Sequence, residues 1–91
     1  MLESNEANML IQEACKDEDG TILRVVTIGS ISISTNDKEF ATGLSARELA
    51  SVEHGLAILC QFEYLKQVVF DQTYIVTKKG YDYADSLVPQ K

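Results

Sequence analysis

The sequence is short of the residues on which most catalytic and metal sites depend. Its 91 residues include one histidine, His54, one proline, Pro89, and two cysteines, Cys15 and Cys60. The cysteines lie far apart among apolar neighbours, where free thiols pack as small hydrophobes, and no paired-ligand spacing indicates zinc. Neither a G-x-S-x-G elbow nor a glycine-rich phosphate loop occurs. We therefore expect no catalytic residue, metal or cofactor, and we interpret the chain as a non-enzyme.

Long apolar runs and clustered positive charge are missing as well. No stretch approaches the roughly 20 apolar residues of a membrane span, and the N-terminus lacks the features of a signal peptide. We therefore expect a cytoplasmic protein without a membrane partner. The net charge is −6, and residues 1–20 hold most of the acidic excess. This acidic first helix is typical of a solvated face, and an acidic docking surface is the alternative. The absence of a basic stripe disfavours nucleic acid as a partner.

What remains is the composition of one small globular domain. Hydrophobic residues make up 45% and charged residues 24% of the chain, which is typical of a folded rather than a disordered protein. Neither an internal repeat nor a linker composition interrupts it. We predict one domain over residues 1–91.

The first predicted element is a helix over residues 4–17, because its apolar residues recur at helical spacing. Ser4 or Asn5 would cap its start. Gly20 would end the following loop in a left-handed conformation.

A β-hairpin is predicted next. Residues 21–28 are rich in β-branched types and indicate a strand. Gly29 at the first central position of a two-residue loop favours a type II′ turn. The alternation in "ISIST" directs Ile31 and Ile33 inward and the serines outward. Phe40 anchors a short third strand in this interpretation.

A long central helix begins at a capping box. Ser45 and Glu48 have the spacing at which each side chain accepts from the other residue's amide. The apolar register passes Gly55 unchanged, and we predict one unbroken helix to about Lys66.

The second half of that predicted helix is apolar on both sides. Ile58, Phe62 and Leu65 continue the face opposite to the core-facing stripe. Either the C-terminal elements cover these residues or a second copy of the chain does. We predict them as an interface on this basis.

Two short strands and a helix complete the prediction. "QVVF" and "TYIV" indicate strands around Asp71 and Gln72, and Thr77 caps a helix from Lys78 to about Val88. The order is α-β-β-(β)-α-β-β-α, an α+β domain with a small antiparallel sheet.

A family resemblance follows from these segments. From residue 46 to residue 87, the helix "ARELASVEHGLAILCQFEYL", the hairpin "VVFDQTYIVT" and the helix "KKGYDYADSL" resemble the second half of a winged-helix domain. With "IQEACKDEDGTIL" and "TIGSISISTNDKEF", the whole chain is similar to a group of small bacterial winged-helix-like domains. The resemblance implies a winged-helix-like architecture and transfers no catalytic residue.

The resemblance raises DNA binding as an alternative function. A hairpin precedes the would-be recognition helix, however, where a helix-turn-helix has another helix. The wing tip at Asp71-Gln72 offers no cation to a phosphate. In this alternative, a dimeric transcriptional regulator would pool four cationic residues: Arg47, Lys66, Lys78 and Lys79.

Other polar residues have structural interpretations. Glu53 falls inside the apolar sector of the central helix, and we predict a buried tether, with Arg24 on the first strand as one candidate partner. His54 should be exposed. Lys78 and Lys79 should be solvated at the start of the last helix, where pairing with Asp82 partly offsets their charge, and a small anion or nucleic-acid contact is the alternative.

The tyrosines leave two alternatives open. Tyr74, Tyr81 and Tyr83 would pack at the rim of the core or form a base-stacking cluster. Our leading interpretation of the chain is a protein-interaction or oligomerisation module, and the alternative is the DNA-binding regulator.

Overall fold

The computed structural model of the chain describes residues 4–68 and 73–87. These residues form an α+β structure of three helices and a small antiparallel sheet of five strands, which confirms the predicted class and order of elements. None of the described helices is long and apolar enough to cross a membrane. The elements are α1 (Asn5–Lys16), β1 (Thr21–Thr27), β2 (Ser30–Thr35), β3 (Lys38–Glu39), α2 (Ala46–Gln61), β4 (Leu65–Gln67), β5 (Thr73–Val76) and α3 (Lys78–Leu87).

Helix α1 begins and ends where the sequence indicates. The Ser4 hydroxyl accepts from the amide of Ala7 at 3.1 Å, which satisfies one of the unpaired donors of the first turn. Gly20 takes a φ of 63° in the loop after the helix, as predicted. The amide of Val76 donates to the Gly20 carbonyl at 2.9 Å, so this loop also ties the start of β1 to β5.

The hairpin of β1 and β2 has a different turn from the predicted one. Thr27 pairs with Ser30, so Ile28 and Gly29 are the two central residues. Gly29 has a φ of 86° and occupies the second central position, the place where a type II turn requires glycine. The type II′ prediction is therefore wrong, because it placed the two central residues of the turn one position too late in the sequence. Gly29 is needed for a positive φ in both turns, and its presence alone does not define which position it fills.

Helix α2 confirms the predicted capping box. The amide of Glu48 donates to the Ser45 hydroxyl at 3.2 Å, and the amide of Ser45 donates to the Glu48 carboxylate at 3.0 Å. The helix continues through Gly55 without a break, as predicted. A Cβ on Gly55 would lie 2.9 Å from the amide nitrogen of Ala7. Glycine at this position therefore allows α1 and α2 to cross at short distance.

The predicted end of α2 near Lys66 is wrong, because the helix ends at Gln61. The amides of Glu63 and Tyr64 donate to the carbonyls of Cys60 and Leu59 at 3.0 and 2.9 Å. These are the two hydrogen bonds of a Schellman motif. Glu63 supplies its left-handed residue, with a φ of 64°. Glycine usually takes that position and marks a helix end in a sequence. Because Glu63 takes it here, the sequence does not show where the helix ends.

The last part of the predicted helix is strand β4. Its bounds, Leu65–Gln67, begin two residues before the predicted strand "QVVF". Residues 69–72, including the predicted wing tip at Asp71-Gln72, lie outside the described residues. An apolar residue three positions after another fits both a helix and a strand that begins after a turn, so the spacing of Phe62 and Leu65 does not distinguish them.

The strands form one sheet in the order β3-β2-β1-β5-β4, with antiparallel neighbours throughout. β1 lies at the centre and pairs with β2 from Leu23 to Thr27 and with β5 from Thr21 to Leu23. The inner face of the sheet packs on the helices. The largest fully buried side chains are Leu10, Ile11, Ile22, Ile33 and Leu59.

Helix α3 is anchored to the segment that follows α2. The Thr77 hydroxyl accepts from the amide of Gly80 at 3.0 Å, which confirms the predicted cap. The same hydroxyl donates to the Glu63 carbonyl at 2.7 Å, and the Thr77 amide donates to the Tyr64 carbonyl at 3.1 Å. Thr77 thus joins the start of α3 to the turn between α2 and β4. Val88, the predicted last residue of this helix, lies outside the described residues.

Candidate interaction surface

One face of the sheet is apolar at its centre and carries no helix within the described part of the chain. Leu23 lies opposite Ser34 on β2 and Thr73 on β5, and side chains opposite each other in antiparallel strands share a face. Val25 and Ile75 are on the same face by the two-residue period of the strands. Leu23, Val25 and Ile75 are 46%, 51% and 41% exposed. We call this surface the outer face.

The other face explains why the outer face remains open. Ile22 and Ile33 point to the opposite side and are completely buried. Helix α1 contacts both α2 and α3, so the three helices form one layer. Arg24, on the inner face of β1, reaches Glu53 of α2. The protein is thus a two-layer structure in which the sheet has one covered and one uncovered side.

Small polar residues surround the apolar centre of the outer face. They come from the three central strands, and they are Thr21, Thr27, Ser30, Ser32, Ser34 and Thr73. Burying a serine or threonine hydroxyl costs much less free energy than burying a charged group, provided that the hydroxyl finds a hydrogen-bond partner. The surface therefore has an apolar centre with a weakly polar surround.

Among the described strand residues, charged side chains reach this face only at its two edges. Glu39 lies opposite Ser34 on the β3 edge, and Lys66 lies opposite Ile75 on the β4 edge. Lys66 makes no ion pair with a described residue. The outer face therefore has a negative edge and a positive edge, separated by an uncharged centre.

The hairpin of β1 and β2 exposes two further apolar residues, Val26 and Ile28. Val26 belongs to the inner face by register, because it lies opposite Ile31. It is nevertheless 53% exposed, and Ile28 in the turn is fully exposed. We call Val26 and Ile28 the hairpin tip.

The predicted interface of Ile58, Phe62 and Leu65 requires a correction. Leu65 is only 3% exposed because it belongs to strand β4 and points into the core opposite Val76. It is therefore not available to a partner. Ile58 is half-buried, and Phe62 is 44% exposed at the C-cap of α2. Their participation in an interface stays a prediction.

Arg47 lies apart from the other three cationic residues of the DNA-binding alternative, which are Lys66, Lys78 and Lys79. Lys78 pairs with Asp82 at 3.1 Å, as predicted, and Lys79 lies 3.9 Å from Glu63 beyond the end of α2. Arg47 is in the first turn of α2, so the 16-residue helix separates it from that end by about 24 Å. Lys66 lies on the outer face. One copy of the chain therefore does not bring these residues together.

The predicted tether of Glu53 is present, but Glu53 is half-buried and not buried as predicted. The Arg24 Nε donates to Glu53 Oε1 at 2.5 Å, and the two side chains are 22% and 32% exposed. The pair lines an open groove of about 430 Å³ with Cys60, Gln67 and Tyr74. An ion pair that also forms a hydrogen bond connects α2 to the central strand of the sheet at this position.

We expect Glu53→Gln to lower the free energy of unfolding by about 1–2 kcal/mol, because Arg24 then loses its charged partner in a half-buried position. Urea denaturation at neutral pH measures the change. Glu48→Gln is unsuitable as a control because Glu48 caps α2, so Glu18→Gln, in the exposed loop after α1, serves instead. An unchanged midpoint for Glu53→Gln would show that the tether contributes nothing. Binding by the outer face should be unaffected in this variant.

The tyrosines do not form one cluster. Tyr83 stacks on Tyr64 with the ring centroids 4.4 Å apart, and its hydroxyl donates to Asn8 at 2.6 Å. Tyr74 lines the groove beside Arg24, and Tyr81 lies at Gly20. The arrangement matches the predicted packing at the rim of the core for Tyr83 and Tyr74, which are half-buried.

Acidic residues of α1 are not all solvated, which corrects the interpretation of this helix as a solvated face. Glu13 is buried, accepts from Asn36 at 2.8 Å and lies 3.3 Å from Lys38. The Asn36 hydrogen bond and the nearby lysines lower the pKa of Glu13 despite its partial desolvation. An open groove of about 610 Å³ lies alongside, and Lys16 and Lys38 on its wall both pair with Glu13. The two lysines on the wall of this groove thus share one carboxylate, that of Glu13.

The remaining candidates for chemistry stay apart. His54 is exposed on α2, as predicted. Cys15 and Cys60 are free and half-buried. Burial raises the pKa of Cys15 to about 11 and also raises that of Cys60, so both are thiols at neutral pH. Among residues 4–68 and 73–87, no three His, Cys, Asp or Glu side chains are placed to hold a metal ion.

No protein-family model, curated protein or solved structure matches this chain. The outer face and the hairpin tip are therefore the features of this chain from which a function can be inferred.

The sequence contained a signal for this surface. In "TILRVVTI" the apolar residues occupy both strand parities, with Ile22 and Val26 on one side and Leu23 and Val25 on the other. A strand that is apolar on both sides is typically covered on both sides. The pairing of β1 with β5, which adds Ile75 to the patch, depends on the tertiary structure.

Proposed function

We propose that this chain is a protein-interaction module of the cytoplasm, and that the outer face and the hairpin tip are its binding surface. The observation that supports the proposal is the alignment of Leu23, Val25 and Ile75 on a sheet face without a covering helix. Contiguous exposed apolar groups with a polar surround are typical of protein interfaces. Burying the exposed parts of these side chains contributes about 1 kcal/mol each.

The edges of the sheet favour binding through the face rather than through strand addition. The edge strands β3 and β4 have only two and three residues in the described structure. Short edge strands offer few unpaired amides and carbonyls, and Lys66 on β4 adds a charge that opposes edge-to-edge pairing. A partner would therefore gain more from packing on the side chains of the face than from extending the sheet.

The proposed compartment is consistent with the state of the thiols. Cys15 and Cys60 are both free, and reduced cysteines persist in the cytosol.

The winged-helix-like architecture belongs to the same proposal. The succession of α2, the β4–β5 hairpin and α3 supports it, since this is the order that the resemblance implies. The central position of β1 in a five-stranded sheet is an additional feature of this chain. The DNA-binding alternative stays a prediction, and the dispersal of Arg47 and Lys79 does not favour it.

Photo-crosslinking in the native cell tests the proposed surface. A photoreactive phenylalanine analogue at Val25 should form crosslinked protein products, because this position lies at the centre of the outer face. The same analogue at Ala50, which is exposed on α2 in the opposite layer, is the matched control and should form far fewer. Equal yields at the two positions, or no product at Val25, would contradict the proposal.

A further inference from the structure

We infer that the outer face binds a second copy of this chain, with the two-fold axis parallel to the strands and above β1. The inference rests on the proposed function and names the partner. A symmetric dimer must use the same surface on both copies, so that surface has to be complementary to itself.

The charged edges supply this self-complementarity. Rotation about an axis parallel to the strands places the β3 edge of one copy over the β4 edge of the other. Glu39 then approaches the partner's Lys66 on both sides of the interface, within about two strand positions, which long side chains span. Rotation about an axis across the strands at the level of Leu23 would instead place Glu39 near the partner's Glu39. Opposite charge thus selects the first axis.

The hairpin tip favours the same axis. With the axis parallel to β1, both hairpins point in one direction, so the two turns that carry Ile28 lie side by side. An axis across the strands would direct the hairpins to opposite ends and leave each Ile28 in solvent. Ile28 is fully exposed in the single chain and gains most from being covered.

The size of the surface predicts a weak dimer. Five strands spaced by about 4.8 Å and up to seven residues long make a face of about 20 Å by 20 Å. Its burial on two copies would remove roughly 800 Å² from solvent, below the 1,200–2,000 Å² of standard stable interfaces. We therefore expect reversible association with a dissociation constant in the micromolar range or weaker.

Analytical ultracentrifugation of the full chain over a range of concentrations tests self-association. The mass should rise from 10.1 kDa towards twice that value as concentration increases. Val25→Glu should remain monomeric, and Ala50→Glu, with the same added charge in the helical layer, should dimerise as the wild type does. Circular dichroism at low concentration checks that Val25→Glu is folded. A wild-type monomer at millimolar concentration would overturn the inference.

Chemical crosslinking distinguishes a two-fold axis parallel to the strands from one across the strands. Leu23→Cys, Val25→Cys and Thr27→Cys are each treated with a short bismaleimide, with the wild type as background for Cys15 and Cys60. Each of the three cysteines should crosslink to the same cysteine of the second copy, because every outer residue of β1 lies beside the proposed axis. Crosslinking at only one of them would indicate an axis across the strands and contradict the inference. Lys66→Glu should weaken the dimer at least tenfold at low salt, and an unchanged affinity would remove the charge argument.

The failure of this inference can be separated from that of the proposed function. If Val25 crosslinks in cells to another protein while the purified chain stays monomeric, the inferred dimer is wrong and the proposed interaction surface is retained. If Val25 forms no crosslinked product in cells and the purified chain stays monomeric, both the inferred dimer and the proposed interaction surface are wrong.

Discussion

Replacing Gly80 with alanine should lower the free energy of unfolding by about 3 kcal/mol or more. Gly80 is buried in the first turn of α3, directly against the backbone carbonyl of Tyr64. A Cβ at this position would overlap the Tyr64 oxygen and press on Val76. The oxygen cannot retreat easily, because it accepts the Thr77 amide at 3.1 Å. Urea denaturation followed by circular dichroism measures the loss.

Gly29→Ala is the matched control for this substitution. Gly29 has a φ of 86°, and nothing lies within 4 Å of a Cβ built there. Its replacement should cost only the left-handed backbone strain of about 1 kcal/mol. Alanine in an ordinary helix is more favourable than glycine by 0.5–1 kcal/mol. A stabilised Gly80→Ala variant would therefore show that α3 does not approach the Tyr64 carbonyl closely.

Replacing Glu39 with alanine should lower the free energy of unfolding by about 2–3 kcal/mol at neutral pH. Its Oε2 accepts from the amides of Ile33, Ala41 and Thr42 at 3.0, 2.8 and 3.3 Å. Its Oε1 accepts from the Ser32 hydroxyl at 2.6 Å. Without the carboxylate these donors lose their acceptor, and those of Ile33 and Ala41 belong to buried residues. Glu18→Ala, in the exposed loop after α1, is the control.

The same carboxylate should make the stability sensitive to acid. Desolvation is the largest single influence on the pKa of Glu39 and raises it, but the hydrogen bonds from Ser32, Ala41, Ile33 and Thr42 together lower it below its ordinary value of 4.5. A group with a lowered folded pKa stabilises the protein above its unfolded pKa and loses that contribution as the pH falls through the folded value.

Thermal denaturation between about pH 7 and pH 3 measures this dependence. The wild type should lose stability below the ordinary carboxyl pKa, and Glu39→Ala should show a smaller loss over the same interval. Glu13, whose pKa is also lowered, should retain its share of the acid sensitivity in that variant. Identical slopes for the two proteins would show that Glu39 is not stabilised in its charged form.

Local chemistry explains why some expectations for this chain are accurate. Ser45 forms its cap with the predicted partner, Glu48, and Ser4 and Thr77 also act as caps, because each cap depends on a few residues adjacent in sequence. Even the contact between Arg24 and Glu53 follows from local periods. The helical angle of Glu53 places it towards the sheet, and strand alternation places Arg24 on the inner side.

The expectations that failed concern positions where two local patterns are equally satisfied. The apolar spacing of Phe62 and Leu65 fits a continuing helix and a new strand alike. Glu63 decides between them by adopting a left-handed conformation that its side chain does not favour. The hydrogen bonds from Thr77 to the carbonyls of Glu63 and Tyr64 help to hold that turn, and they come from another part of the chain.

The sequence by itself determined the α+β class, the order of the elements and most of the caps. These properties depend on spacing and on turn chemistry within a few residues. Only the tertiary structure decided that β1 lies between β2 and β5, and that all three helices pack on one side of the sheet. The physical reason is that a strand apolar on both sides indicates burial on both sides, whereas three helices in one layer cover only one of them. The outer face is the side left without a cover, and for that reason it is the proposed binding surface.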